Sequence, residues 1–104
     1  MRKAKVLVSN TEAGILSEVE YGKKYRFKYL PGYSGTPVSL TMLIRGTDYE
    51  FDSFPPFFGG LLPEGYQLDG LLKIGKIDRN DLFSQIVAVG GDLVGNVTIE
   101  EITS

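Results

Sequence analysis

Along the first half of the chain, apolar positions recur with a period of two. That is the spacing of a β-strand, whose successive side chains point to opposite faces. Lys24 to Tyr29 is the clearest case: Tyr25, Phe27 and Tyr29 share one face, while Lys24, Arg26 and Lys28 share the other. The first face is predicted to be core and the second wet. Upstream, Lys5 to Ser9 and Ala13 to Glu20 carry aliphatic and β-branched residues on either side of the turn-forming Asn10-Thr11, which predicts a hairpin ending near Gly22. Leu30-Pro-Gly-Tyr-Ser-Gly-Thr-Pro37 holds two prolines and two glycines and reads as a loop. Val38, Leu40, Met42 and Ile44 then alternate with Ser39, Thr41 and Leu43, predicting another strand. Tyr49-Glu-Phe51 follows as a further one after a turn at Gly46-Thr-Asp48.

The second half changes period. Pro63 suits the first position of a helix, and Leu68, Leu71 and Leu72 recur at i, i+3 and i+4 until Gly75. Asp78-Arg-Asn-Asp81 supplies capping side chains for a second helix with Leu82, Phe83, Ile86 and Val89 on one face. Gly90-Gly91 ends it, read as the left-handed cap that glycine relieves, and Leu93 to Ile102 reads as a closing strand. The expectation is a single α+β domain over residues 1–104: mainly antiparallel sheet, with two or three short helices on one side.

Between the two halves, Phe54 to Leu72 gathers four aromatic residues and five leucines around three prolines. That is more apolar surface than one short helix can bury beneath itself, so part of it is expected to face a partner. Helical phase divides the segment. At about 100° per residue, Tyr66 lies roughly 170° from the mean direction of Leu68, Leu71 and Leu72, and so points outward. Tyrosine pairs a large contact area with a polar tip and is enriched at binding hot spots. Phe54 is expected inside, and Phe57 and Phe58 in an exposed apolar patch of the kind that marks a partner site. Glu64 and Gln67 flank Tyr66; a first-turn carboxylate also favours the helix N-terminus by its charge alone.

Composition narrows the chemistry. The 104 residues contain no histidine, cysteine or tryptophan, and carry a formal net charge of −2. Disulfides and thiolate metal sites are thereby excluded, and the usual general base and nucleophile pairings are missing. An enzyme would have to work through carboxylates, and 13 acidic residues guarantee some pairs by chance. Gly90-Gly-Asp-Leu-Val-Gly95 leaves a helix and enters a strand, the reverse of a phosphate loop. Asp78 to Asp81 lacks the glutamate of a calcium loop. No cofactor or metal is expected. The slight acidity disfavours direct nucleic-acid binding, and the row Lys24, Arg26, Lys28 reads as the solvent face of a strand. The apolar run at the N-terminus is shorter than a signal-peptide core, and no segment approaches membrane-helix length, which predicts a cytoplasmic protein with no membrane partner.

Several motifs carry a family resemblance: Tyr33-Ser-Gly-Thr-Pro-Val-Ser-Leu-Thr41, Phe54 with Gly60-Leu-Leu-Pro-Glu-Gly65, Asp81-Leu-Phe83, and Val89-Gly-Gly-Asp-Leu-Val-Gly-Asn-Val97. With them the chain resembles the N-terminal subdomain of the HipA family of serine/threonine kinase toxins. Such a kinase continues into an ATP-binding core several times this length, and the expectation is a non-enzymatic chain. It is similar to the free-standing HipS-type counterpart of that subdomain in HipBST toxin–antitoxin systems. The resemblance implies an antitoxin that binds and inhibits a HipT-like serine/threonine kinase, within a complex that includes a HipB-like DNA-binding protein. The alternative is a scaffold that completes the kinase fold without inhibiting it. The residues assigned to the partner are Tyr66, Glu64, Gln67, Phe57 and Phe58.

Overall fold

The structure is a computed structural model and describes residues 1–93 and 95–102. Strand β1 (Arg2–Val8) turns into β2 (Thr11–Glu20) through Ser9 and Asn10, whose φ angles of 49° and 67° are both left-handed. That conformation is the two-residue turn whose twist matches a hairpin. Strands β3 (Lys24–Tyr29), β4 (Tyr49–Phe51) and β5 (Val97–Ile102) complete a five-stranded antiparallel sheet in the order β4-β3-β2-β1-β5. Both pairings of β2 skip a residue: Val6 and Leu7 face Gly14 and Glu12, and Tyr25 and Lys24 face Glu18 and Glu20. Ala13 and Val19 are thus bulged, which bends and twists the longest strand.

The predicted alternation places the core. Ala4, Val6, Val8, Leu16, Tyr25, Phe27, Tyr29, Val97 and Ile99 are buried on one face of the sheet. Three short helices, α1 (Pro56–Gly59), α2 (Gly65–Gly75) and α3 (Leu82–Val89), follow β4, and Phe58 of α1 with Phe83 and Ile86 of α3 join this core. Phe27 sits at its centre, its ring 4.9 Å from that of Tyr29 and 5.9 Å from that of Phe58. Gly14 makes room for it, since a Cβ there would lie 2.6 Å from the Phe27 ring. The other face is wet. Lys5 pairs with Glu12 at 2.6 Å, and Arg26 reaches Asp48 at 3.6 Å and Glu50 at 3.2 Å. The middle of the basic row is therefore neutralised by its neighbours.

Arg2 fixes α3 against the sheet. Its guanidinium donates to both oxygens of Glu18 at 2.7 and 2.9 Å, to both oxygens of Asp81 at 2.9 and 3.2 Å, and to Ser84 Oγ at 2.8 Å. Asp81 is also the N-cap of α3, accepting from the Ser84 backbone N–H at 3.1 Å. Burial alone would raise the Asp81 pKa, but hydrogen bonds from Arg2 and Ser84 outweigh it and hold the carboxyl below its ordinary value. Tyr25 donates to Glu18 at 3.2 Å, and burial together with that carboxylate pushes its phenol up to about 12.

Several sequence expectations need correction. Val38 to Ile44 forms no strand; a single bridge joins Ser39 and Met42. The Tyr29 hydroxyl accepts from the Val38 N–H at 2.9 Å and donates to the Met42 carbonyl, which folds the segment into a turn. Val38 and Met42 point inward and Leu40 is 93% exposed, so the alternation does not mark one face. Helix α2 begins at Gly65, after an N-cap at Glu64, so Pro63 precedes the helix. Strand β5 begins at Val97, not Leu93; Val94, within the predicted strand and within the glycine-rich motif, lies outside the described residues. Gly90 is right-handed at φ −54°, so the left-handed cap does not explain it. Close approach does: a Cβ at Gly90 would sit 2.0 Å from the Ile99 carbonyl oxygen, where Ile99 N–H donates to the Gly90 carbonyl at 2.9 Å.

Candidate partner-binding site

The residues assigned to a partner divide between two places. Glu64, Tyr66 and Gln67 stand together where α2 begins, and all three are exposed. Tyr66 is 95% exposed, as its helical phase requires, because Leu68, Leu71 and Leu72 on the far side are partly covered. Glu64 has extended backbone and its side chain makes no capping hydrogen bond, so its carboxylate is directed to solvent beside the first turn of α2. Gly65 follows at φ +59°, a left-handed turn between Pro63 and the helix that suits glycine. Gln67 borders a groove of about 330 Å³ with Leu61, Leu62, Pro63, Val89 and Asp92.

The phenylalanines lie elsewhere. Phe58 is 0% exposed and sits in the core between Phe27 and Phe57, which corrects its assignment to an exposed patch. A four-residue α1 directs it inward, and so short a helix leaves no periodicity by which to separate Phe58 from Phe57. Phe57 is half-buried, edge-on to Phe58 at 5.2 Å. It borders a second groove of about 290 Å³ with Met42, Tyr49 and Phe51, which shares no residue with the one beside Gln67. Phe54 is half-buried, its ring edge-on to Tyr25 at 5.3 Å.

Further exposed apolar side chains lie outside the predicted set. Ile74 on α2 is 87% exposed, and Leu40 and Leu43 stand out from the turn after Val38. Ile74 was legible, since it falls within about 80° of Tyr66 on a helical wheel. Leu40 was not, because strand alternation turned it inward. Among the described residues, no three acidic side chains gather in a way that could hold a metal ion, and no helix is long and apolar enough to cross a membrane.

A sequence model of the HipA N-terminal domain matches residues 4–100. The chain belongs to the HipA N-terminal domain family. An uncharacterised protein of Haemophilus influenzae is 32% identical over 101 residues, covering 97% of this chain and 93% of that protein. A solved structure of the N-terminal domain of HipA toxin superposes with a TM-score of 0.77 at 28% identity, covering all of this chain and 95% of that one. The antiparallel sheet with its three helices is thus the fold of this family. The kinase's catalytic part lies outside what the family match describes.

Proposed function

We propose that this chain is a HipS-type antitoxin. It binds a HipA-like (HipT) serine/threonine kinase in the cytoplasm and inhibits it, within a complex that also holds a HipB-like DNA-binding protein. The observation that carries this reading is Tyr66: a large aromatic residue, 95% exposed at the start of α2, in a domain of the HipA N-terminal family. Tyrosine offers a large contact area with a polar tip and is enriched at binding hot spots. Tyr66 enters the kinase's active cleft, with Glu64 pairing with basic groups at its mouth and Gln67 hydrogen-bonding beside it. Phe57 contributes from its own groove. Phe58 supports the site only from beneath, by packing under Phe57.

The test is binding and inhibition of a HipA-like kinase, sought by pull-down among the products of neighbouring genes. Tyr66→Ala should fold normally and weaken binding by about 2–4 kcal/mol, the size of a hot-spot truncation. An unchanged affinity would remove Tyr66 as the anchor. Titrating the purified chain into the kinase should lower its activity; stimulation would instead favour the scaffold reading. Growth arrest that persists when both proteins are soluble and co-expressed would overturn the antitoxin role.

A further inference from the structure

Two motifs that stand out in the sequence, Gly60-Leu-Leu-Pro-Glu-Gly65 and the start of Val89 to Val97, meet at the groove beside Gln67. Leu61, Leu62 and Pro63 line it from the first motif, and Val89, Asp92 and Leu93 from the second. Both segments are held by backbone hydrogen bonds. The Leu61 and Leu62 N–H groups donate to the Phe58 and Gly59 carbonyls at 3.1 and 3.2 Å, and the Asp92 N–H donates to the Val89 carbonyl at 2.8 Å. Close contact of Gly90 with Ile99 pins the second segment to β5 as well. The groove is therefore built before any partner arrives, which lowers the ordering cost of filling it.

Charge sets this groove apart. Gln67 and Asp92 are the polar side chains among its lining residues, and no lysine or arginine lines it. Among the described residues no ion pair engages Asp92. The other hollows differ. Glu12, the acid of a cavity of about 600 Å³ beside the β1–β2 turn, is already paired with Lys5 at 2.6 Å, and no charged residue lines the groove beside Phe57. The occupant follows by elimination. A carboxylate would be repelled by Asp92, and a wholly apolar side chain would cover Asp92 without a counter-charge. A basic side chain meets both demands, because its stem is apolar and its head is charged. Arginine meets them best: its guanidinium is less strongly hydrated than an ammonium, and its fork of donors can serve the Asp92 carboxylate and the Gln67 amide oxygen together. A volume of about 330 Å³ lies at the bottom of the roughly 300–1,000 Å³ range of small-molecule sites and suits one long side chain.

We propose that this groove receives an arginine side chain of the partner, with its stem along Leu61, Leu62 and Leu93 and its guanidinium on Asp92. Capture of an arginine here rests on the reading of Tyr66 as partner-binding, because Gln67, the next residue, borders the groove. The groove adds a contact of different chemistry to that site. Tyr66 supplies an aromatic anchor, and the groove selects a partner that presents a basic side chain beside it.

Affinity for the HipA-like kinase recovered from the products of neighbouring genes tests this, with the arginines of the kinase replaced by alanine one at a time. Asp92 is exposed, so Asp92→Asn, which keeps the size of the side chain, should fold normally. It should weaken binding about tenfold or more. Asp92→Lys should weaken it further, because it opposes like charges. Double-mutant cycles should single out one arginine of the kinase whose replacement costs little more once Asp92 is neutralised. Circular dichroism on each variant confirms that the fold is retained. Unchanged affinity of Asp92→Asn overturns the proposal, and so does a loss that couples to no arginine of the kinase. In either case, Tyr66→Ala that still weakens binding leaves the antitoxin reading standing. A wild type that binds no HipA-like kinase removes both.

Discussion

Arg2 ties β2 to α3, because its guanidinium donates to Glu18 of the one and to Asp81 and Ser84 of the other. Glu18 is only 4% exposed, and Arg2 is the cation that contacts it. Arg2→Met would leave that buried carboxylate uncompensated and take a partner from the α3 N-cap, at a cost of about 3 kcal/mol. Urea unfolding should show the corresponding drop in midpoint with an unchanged slope. The same cluster sets the response to acid. Because the folded-state pKa of Asp81 is depressed below 3.8, its contribution is fully present above the unfolded value and is lost as pH falls through the folded one. Stability of the wild type should therefore fall below about pH 4, and Asp81→Asn, already lacking that contribution, should fall less steeply. Tyr25 acts at the other end: with its phenol raised to about 12, stability is full below the ordinary value of 10.0 and declines between the two. Of this cluster, only the capping role of Asp81 could be read from the sequence. Arg2, Glu18 and Asp81 are far apart in the chain, and no local pattern announces that one arginine will collect both acids. Tyr66 was legible because helical phase is local. Phe58 was not, because its direction depends on a four-residue helix that only tertiary packing establishes.

At the scale of elements, strands with one dry face were the most readable feature, since burial of that face enforces the period of two. The failure at Val38 to Ile44 has a specific cause. One hydroxyl, that of Tyr29, satisfies the Val38 N–H and the Met42 carbonyl, and so replaces the ladder that a strand would have supplied. The segment can then bury Val38 and Met42 and expose Leu40 between them. Tyr29→Phe keeps the ring in the core but leaves two buried backbone groups without their partner. It should cost about 1–3 kcal/mol. Hydrogen exchange at the Val38 amide should accelerate well before the sheet amides of β1 and β2 respond. Equal acceleration in the sheet would show that the loss is global and that the turn does not depend on this hydroxyl. The glycines show a similar division. Gly90 was correctly read as an ending but for another reason, because contact with the Ile99 carbonyl comes from a strand that follows later in the chain.

For the molecule as a whole, the sheet and α3 form a unit around one core, and α2 lies at its margin. Core residues come from β1, β2, β3, β5, α1, α3 and the turn that holds Val38 and Met42, whereas α2 supplies none. Local stability follows buried contact, so α2 should open by itself at a lower free energy than the sheet. Native-state hydrogen exchange on the dilute chain is expected to show α2 amides protected at least about tenfold less than the central amides of β1 and β2. Denaturant should leave the exchange of α2 nearly unaffected while it strongly accelerates that of β1 and β2, because opening α2 exposes little surface. The functional consequence follows from the same asymmetry. A helix that its own domain covers on one side only is cheap to hold in place by a second surface, and its protection should rise when the Tyr66 face is occupied. If α2 amides in the free, dilute chain exchange as slowly as those of β1, the helix is anchored by its own domain. The exposed Tyr66 and Ile74 would then be a solvated face and not a binding surface awaiting its partner.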